Sequence, residues 1–195
     1  MTSWELIIFI LYNQKHMPEL NFDPFPVLET DRLMLRKISM DDAEYLFHLR
    51  TNEDAMRYIN KPLPKSIDAV KELITKMNDN SVRIQWAVTL KKEDTLVGTI
   101  GYHIIEKEHY RAEIGYMLHP ELWSKGLMSE AISVVLDFGF NQMGLHSIEA
   151  RINPANGQSA KILSKHFFIK EGYFKENYFF EGNFLDSEIY SLVNR

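Results

Sequence analysis

The residues best placed to do chemistry lie within positions 110–131, where a strand pattern runs through a loop into a helix. Residues 112–118 alternate as a strand does and include a carboxylate, Glu113. The loop ends at Gly126, and a helical period follows over 128–140. Backbone N–H groups at a helix start lack partners and carry the positive end of the helix dipole. The stretch therefore predicts a phosphate or pyrophosphate site, unless the glycine serves only to make the turn.

Spacing distinguishes this loop from the common nucleotide motifs, because neither a P-loop nor a dinucleotide-binding fingerprint is present. It resembles the coenzyme A loop of the GNAT acetyltransferase superfamily, and most of all the Rim-type branch, which acetylates protein N-termini and other amines. That branch reads roughly E-I-G-Y-x-L, then H-P-x-x-W-x-x-G, a helix opening with E-A, and N-x-x-S downstream. The resemblance covers the chain from about Leu28 onwards. The matching residues are Glu113, Ile114, Gly115, Tyr116, Leu118, His119, Pro120, Trp123, Gly126, Glu130, Ala131, Asn156 and Ser159.

The resemblance implies acetyl-CoA as the cofactor, with its pyrophosphate on the backbone amides of residues 124–128. It also implies a bulged strand, which Gly115 would suit, and a freed strand edge that pairs with the pantetheine arm. A free N–H of Met117 or Leu118 would then polarise the thioester carbonyl. Lys125 either adds charge or is a solvated loop residue. The predicted coenzyme-binding residues are Tyr116, Met117, Leu118, Trp123, Ser124, Lys125, Gly126, Leu127, Met128, Asn153 and Asn156.

Acetyl transfer to an amine needs a base for the amine proton and an acid for the sulfur. Glu113 is the predicted base, and the alternative is a carboxylate that faces solvent or an arginine. Ser159 is the family-matched hydroxyl for the acid, although it and Asn156 are also suited to helix capping. Asn153 precedes a proline and is either a turn residue or a ligand contact. The histidines are scattered singly, so we predict no metal site.

Three positions depart from the family pattern. Related branches place a tyrosine acid seven residues after the motif asparagine, where this chain has Leu163. Met128 is bulkier than the small residue expected there, and Phe167 replaces a glycine after the last helix. These departures put in question the identity of the general acid, the packing of the loop and the way the chain leaves the last helix. They leave the core of the loop motif intact.

The elements that must position these residues alternate between strand and helix patterns. Their order is β-α-α-β-β-β-α-β-α-β-β, which predicts a mixed sheet with helices on its faces. Together with the resemblance, this gives an α/β (α+β) fold: a single GNAT-like domain whose mostly antiparallel sheet is splayed at a central parallel pair. We assign residues 1–26 to an N-terminal extension and lead-in, and residues 27–195 to the acetyltransferase domain. The apolar segment 4–12 is too short for a membrane helix and is expected to pack on the domain or on a partner subunit.

Composition sets the remaining limits. The 195 residues carry a net charge of −5 and no long basic run, so we expect no direct nucleic-acid partner and no membrane association. The absence of cysteine excludes a cysteine nucleophile and suits a cytoplasmic protein. A homodimer is expected only if the N-terminal segment exchanges between subunits.

The resulting prediction is an N-acetyltransferase in which an amine attacks acetyl-CoA directly in a ternary complex. A protein or peptide N-terminus, such as that of a ribosomal protein, is the favoured acceptor, because freeing an α-amine at pH 7 costs about 1.4 kcal/mol against roughly 4.6 for lysine. A polyamine, an amino acid or an antibiotic is the alternative acceptor, and a non-catalytic acyl-CoA-binding module is the alternative function. The first two helices and the final hairpin should wall the acceptor side. Its candidate lining residues, each with core packing as the alternative, are Tyr58, Trp86, Tyr178 and Phe180.

Overall fold

The computed structural model describes residues 21–78 and 83–195. The predictions for the apolar segment 4–12 and for most of the N-terminal extension therefore lie outside the described residues. The strands are β1 (Leu28–Glu29), β2 (Leu33–Lys37), β3 (Ile84–Leu90), β4 (Leu96–Glu106), β5 (Arg111–Leu118), β6 (Ser147–Ile152), β7 (Ile169–Phe180) and β8 (Asn183–Val193). The helices are α1 (Ala43–Thr51), α2 (Glu53–Met56), α3 (Ile67–Met77), α4 (Leu127–Asp137) and α5 (Gly157–Lys165).

The described strands form one mixed sheet in the order β1-β2-β3-β4-β5-β6-β8-β7. Only β5 and β6 run parallel, and every other neighbouring pair is antiparallel. The parallel pair is joined through α4, as the crossover rule requires. The predicted fold class is confirmed, and α4 continues into a π-helical turn over Phe138–Gln142.

Two apolar clusters cover the two faces of the sheet. On one face, α4 contributes Ala131, Ile132 and Val135, which pack against β-strand residues such as Ile100 and Ile148. On the other face lie α1, α2 and α3, of which α3 buries Val70, Ile74 and Met77 along one stripe. Ser66 caps the start of α3, because its side chain accepts a hydrogen bond from the Ala69 N–H. Helices on both faces leave β5 and β6 in the middle of the domain.

The predicted lead-in packs on this core. Phe22 is buried in the cluster beneath α4 and contacts the Phe138 ring. Trp86, a candidate lining residue of the acceptor side, is instead fully buried and donates its indole N–H to the Pro26 carbonyl at 2.7 Å. Trp86 therefore packs in the core, the alternative interpretation given for it, because its β3 position faces the α4 side of the sheet. The domain boundary at residue 27 stays a prediction. Within the described ranges, no helix is both long and apolar enough to cross a membrane.

Candidate active site

The sheet splits between β5 and β6, and Glu113 marks the apex of the split. The two strands pair over only three positions, the last of which joins Glu113 to Glu149. Beyond that point β5 stays paired with β4 as far as Leu118, while its other edge pairs with no strand of the described ranges. The structure therefore has the splayed parallel pair that the resemblance implied, with an open backbone edge on β5.

The direction of each N–H on this edge follows from the pairing of the next residue. The His119 N–H bonds the Val97 carbonyl at 2.9 Å, on the β4 side. Because N–H groups alternate between the two edges of a strand, the Met117 N–H also faces β4, whereas those of Tyr116 and Leu118 face the split. Of the two donors predicted to polarise the carbonyl, only Leu118 is in position. The Met117 side chain is buried in the cluster beneath α1 and α3.

Trp123 fixes the end of the open edge. Its indole N–H donates to the Leu118 carbonyl at 2.8 Å, and its ring packs on the core beneath α4. That carbonyl is consequently occupied, while the Leu118 N–H remains directed into the split. The predicted coenzyme contact of Trp123 is thus accompanied by a structural role, which is to hold the strand end in place.

The predicted bulge lies on the neighbouring strand. The register shift falls between Tyr102 and Ile104 of β4, so His103 is the extra residue. Gly115 pairs with Gly101 without a shift, and the interpretation of Gly115 as the bulge is therefore wrong. A Cβ on Gly115 would overlap the His103 ring, so the glycine is needed for the close approach of that ring.

The loop before α4 presents backbone N–H groups at the helix start. Ser124 and Gly126 have φ values of 60° and 78°, which turn the chain sharply into the helix. Glu130 is the first residue whose N–H finds an acceptor in the helix, on the Gly126 carbonyl at 3.1 Å. Leu127 and Met128 bury their side chains and offer only their backbone. The bulk of Met128 is accommodated in the core and leaves the N–H groups of the loop in place, and the pyrophosphate site stays a prediction.

A polar contact that the sequence did not reveal ties this loop to the turn between β1 and β2. Glu130 accepts hydrogen bonds from the hydroxyl of Thr30 and from the backbone N–H of Arg32. The Arg32 guanidinium pairs with Glu130 at 2.5 Å and donates to the Lys125 carbonyl at 3.0 Å. Arg32 thus places a half-exposed positive charge beside the loop, where a phosphate would need one.

The Glu113 carboxyl is partly buried on the α1–α3 face of the sheet. Its pKa is raised above the ordinary value by burial and by the neighbouring Glu149 carboxylate, while Arg151, Lys61 and Arg111 act in the opposite direction without cancelling the effect. A carboxylate with a raised pKa is a better proton acceptor than an exposed one, which is what a general base needs.

His103 shares this face with Glu113, although it was grouped with the scattered histidines. One side of the ring is open to solvent, and the other lies against Gly115. Desolvation by the surrounding atoms, together with the charges of Arg50, Lys61 and Arg83, lowers the pKa of His103 to about 4. The imidazole is neutral at pH 7 but too weak a base to compete with Glu113 for a proton.

Tyr116 and Ser159 approach each other on the opposite face of the split. The Tyr116 hydroxyl is buried without a hydrogen-bond partner among the described residues, and burial raises its pKa to about 12 even though the nearby Ser159 hydroxyl lowers it. The two groups are close, but their geometry falls short of a hydrogen bond. An unsatisfied buried hydroxyl is costly and points to a missing partner in the split. Leu163, at the position of the tyrosine acid in related branches, is fully buried.

The remaining predicted residues have local structural contacts. Asn156 caps α5 by accepting from the Ser159 N–H at 3.1 Å, and Asn153 makes a turn by accepting from the Ala155 N–H at 2.9 Å. Phe167 takes the left-handed conformation usual for glycine, with φ 64°, and is 82% exposed. The helix exit is thus kept despite the departure. Across the described ranges, no group of three or more His, Asp or Glu side chains could hold a metal ion.

Comparisons with known proteins agree with this geometry. Residues 32–168 match the family model described as "Acetyltransferase (GNAT) domain". The chain is 37% identical over 172 residues to YoaA of Bacillus subtilis, described as an uncharacterized N-acetyltransferase, and covers 97% of it. That alignment spans 87% of this chain. A spermidine N(1)-acetyltransferase of Vibrio cholerae is 27% identical over 142 residues, which are 72% of this chain and 81% of that protein.

Solved structures show the same fold. A GNAT-family acetyltransferase from Bacillus anthracis superposes with a TM-score of 0.78 at 30% identity, over 86% of this chain and 98% of the other. The ribosomal-protein-S5-alanine acetyltransferase from Vibrio fischeri gives a TM-score of 0.75 at 25% identity, over 87% and 97% of the two chains. The matches therefore include enzymes named for different acceptors.

Proposed function

Because the chain belongs to the GNAT acetyltransferase family, and is thus an acetyl-CoA-dependent acetyltransferase, we propose that its acceptor is an α-amine at a peptide or protein N-terminus. The observation that carries the proposal is the Glu113 carboxylate at the apex of the split, whose neighbour Glu149 is instead paired with Arg111 at 3.5 Å. One carboxylate is sufficient to deprotonate an α-amine, for which the cost at pH 7 is about 1.4 kcal/mol, but is poorly matched to the roughly 4.6 kcal/mol of a lysine amine.

The coenzyme would bind with its pyrophosphate on the N–H groups of residues 124–128, beside Arg32, and its arm along the open edge of β5. Acetyl-CoA supplies a thioester carbonyl carbon to which the amine nitrogen bonds as the C–S bond breaks. The Leu118 N–H faces the split and would donate to the developing oxyanion. Leu127 and Met128 keep their side chains in the core, so their amides stay accessible.

Proton movement would divide between the two faces of the split. Glu113 takes the amine proton on the α1–α3 face. The hydroxyls of Tyr116 and Ser159 donate hydrogen bonds on the other face, where the sulfur gains charge. Burial raises the pKa of Tyr116 to about 12, so proton transfer from it to a thiolate with a pKa of about 8.5 would be uphill. A serine hydroxyl is a weaker acid still, so solvent supplies the proton, and Ser159, the predicted acid, can only hydrogen-bond the sulfur or relay that proton.

A second acceptor class is supported by the spermidine N(1)-acetyltransferase relative. We therefore keep a small amine as the alternative, and assignment to the Rim-type branch remains part of this proposal. Cytoplasmic location and a homodimer likewise stay predictions.

The test is thiol release from acetyl-CoA against a panel of peptides and small amines, with Glu113→Gln beside the wild type. We expect turnover with α-amines and a loss of about 10²–10⁴-fold in kcat/KM in the variant. Glu29→Gln, which removes an exposed carboxylate from β1, serves as the control and should be silent. Equal activity of Glu113→Gln and wild type would show that Glu113 is not the base. A preference for lysine or spermidine would show that the acceptor is not an α-amine of a peptide or protein.

A further inference from the structure

Arg50 is the least explained charged side chain on the acceptor face. It occupies the last turn of α1, after the buried Leu49. Its Nε is buried and has no hydrogen-bond partner in the described part of the chain. Burial lowers the pKa of Arg50, and no described carboxylate offsets that effect. A guanidinium in such a place is normally paired, because leaving a buried charge uncompensated is expensive.

Helix capping does not account for this arrangement. A cation in the last turn of a helix is favourable when it donates to the final carbonyls. Within residues 21–78 and 83–195, the Arg50 side chain donates to no carbonyl, whereas its neighbour Thr51 bonds the Phe47 carbonyl at 2.8 Å. Arg50 therefore has donors directed towards something other than its own helix.

Further cations converge on the same place. Ile84 of β3 pairs with Tyr102 of β4 in the antiparallel sheet. Arg83, one residue before Ile84, therefore lies opposite His103, one residue after Tyr102. Lys61 is close enough to His103 and Glu113 to lower the pKa of both groups. The loop that carries Lys61 is held by the Tyr178 hydroxyl, which donates to the Asn60 carbonyl at 3.0 Å. Positive charge is thus concentrated on this face of a chain whose net charge is −5, and such a patch attracts anions.

The position of these cations excludes the coenzyme phosphates as their partner. The loop before α4 belongs to the opposite face of the sheet, beneath which α4 packs. The His103 ring lies against Gly115, which is two residues after Glu113 on β5 and therefore on the same α1–α3 face of the sheet. Lys61 lies near both Glu113 and His103, and Arg50 and Arg83 lie near His103, so the cations are on the face of the sheet where the acceptor amine would meet its base.

We propose that Arg50, with Lys61 and Arg83, forms an anion subsite for a carboxylate that the acceptor carries close to its reactive amine. The inference depends on the proposed function and narrows its acceptor. The carboxylate can belong to a free amino acid or to an acidic side chain near a peptide N-terminus. Such a subsite repels polyamines, whose remaining ammonium groups would face three cations.

The test uses two matched acceptor pairs in the thiol-release assay with the full chain. The peptide pair is Ala-Asp-amide against Ala-Asn-amide, and the amino-acid pair is alanine against alaninamide. We expect wild type to prefer the carboxylate in at least one pair by about tenfold or more. Arg50→Met should abolish most of that preference, and Arg57→Met, which alters an exposed arginine paired with Asp54, should retain it. Comparing preferences between proteins cancels intrinsic differences in amine reactivity.

The pair that shows the preference identifies the source of the carboxylate. Should Arg50→Met fail to fold, the exposed Lys61→Met carries the test, with a smaller fall in the same direction. Equal use of both members in both pairs by the wild type, or spermidine as the best acceptor, overturns the subsite. Absence of thiol release with every amine overturns the proposed function instead, so the two failures are distinguishable.

Discussion

The split has a coenzyme side and an acceptor side, named for the ligands that they are proposed to bind. The two sides differ in whether backbone groups or side chains form them. The coenzyme side is mostly backbone: the open edge of β5, the turn at Gly126 and the first N–H groups of α4. Its side chains, such as Met128, are buried in the core. The acceptor side consists of polar side chains from distant parts of the chain, namely Arg50, Lys61 and His103, around Glu113. Backbone geometry suits a ligand that is always the same, whereas side chains can change with the acceptor.

Of the substitutions that test this difference between the two sides, Gly126→Val should have the largest effect. Gly126→Val places a β-branched residue at φ 78°, which costs about 1–2 kcal/mol, or roughly tenfold in an equilibrium constant. The KM for acetyl-CoA should rise by about that factor, with little change in the acceptor preference. Gly182→Val is the matched control, since it introduces similar strain at φ 83° in the turn between β7 and β8. An equal rise in both variants would contradict the role of the loop.

Tyr116→Phe should separate activity from stability. Removing a buried hydroxyl that lacks a partner should raise the free energy of unfolding of the free protein by about 1 kcal/mol. The same change should lower kcat about fivefold, because a donor to the sulfur is lost. Denaturant unfolding and steady-state kinetics on one preparation measure both. A variant that is less stable and fully active would show that the hydroxyl is already hydrogen-bonded in the free protein and donates nothing to the sulfur.

The pH profile tests the acceptor side. Glu113 must be ionised to accept a proton, so kcat/KM should fall as the pH drops through its raised pKa. Arg151 lowers that pKa, and Arg151→Met should therefore move the acidic limb to higher pH. Lys37→Met, on β2, should leave the limb unchanged. A shift of the limb to lower pH in Arg151→Met would rule out Glu113 as the titrating group.

The smallest effect on activity is expected at Phe167, which lies on neither the coenzyme side nor the acceptor side of the split. Phe167→Gly relieves a left-handed backbone at little cost in packing, since the ring is 82% exposed. The free energy of unfolding should rise by about 1 kcal/mol, with unchanged kinetics. Thermal unfolding checks the first part. A marked loss of acetyl-CoA binding would instead assign the ring to the coenzyme side.

The difference between backbone geometry and side chains from distant parts of the chain also decides which features could be predicted from the sequence. Local signals identified Asn156 as a possible helix cap, and the order of elements predicted the sheet. The family motif placed Glu113 near the split. The exchange of roles between Gly115 and His103 could not be predicted, because the bulge depends on the register of β4 against β5. Arg50 gave no signal either, since only the folded chain reveals that its guanidinium lacks a partner.

The hydrogen bond from Tyr178 to Asn60 has a consequence for biosynthesis. It joins the first third of the chain to its final hairpin, and β8 must insert between β6 and β7 before the sheet is complete. On a ribosome, the segment up to α4 emerges well before that hairpin does. Contacts so far apart in sequence form slowly, so the capacity to bind coenzyme should appear before the capacity to select an acceptor.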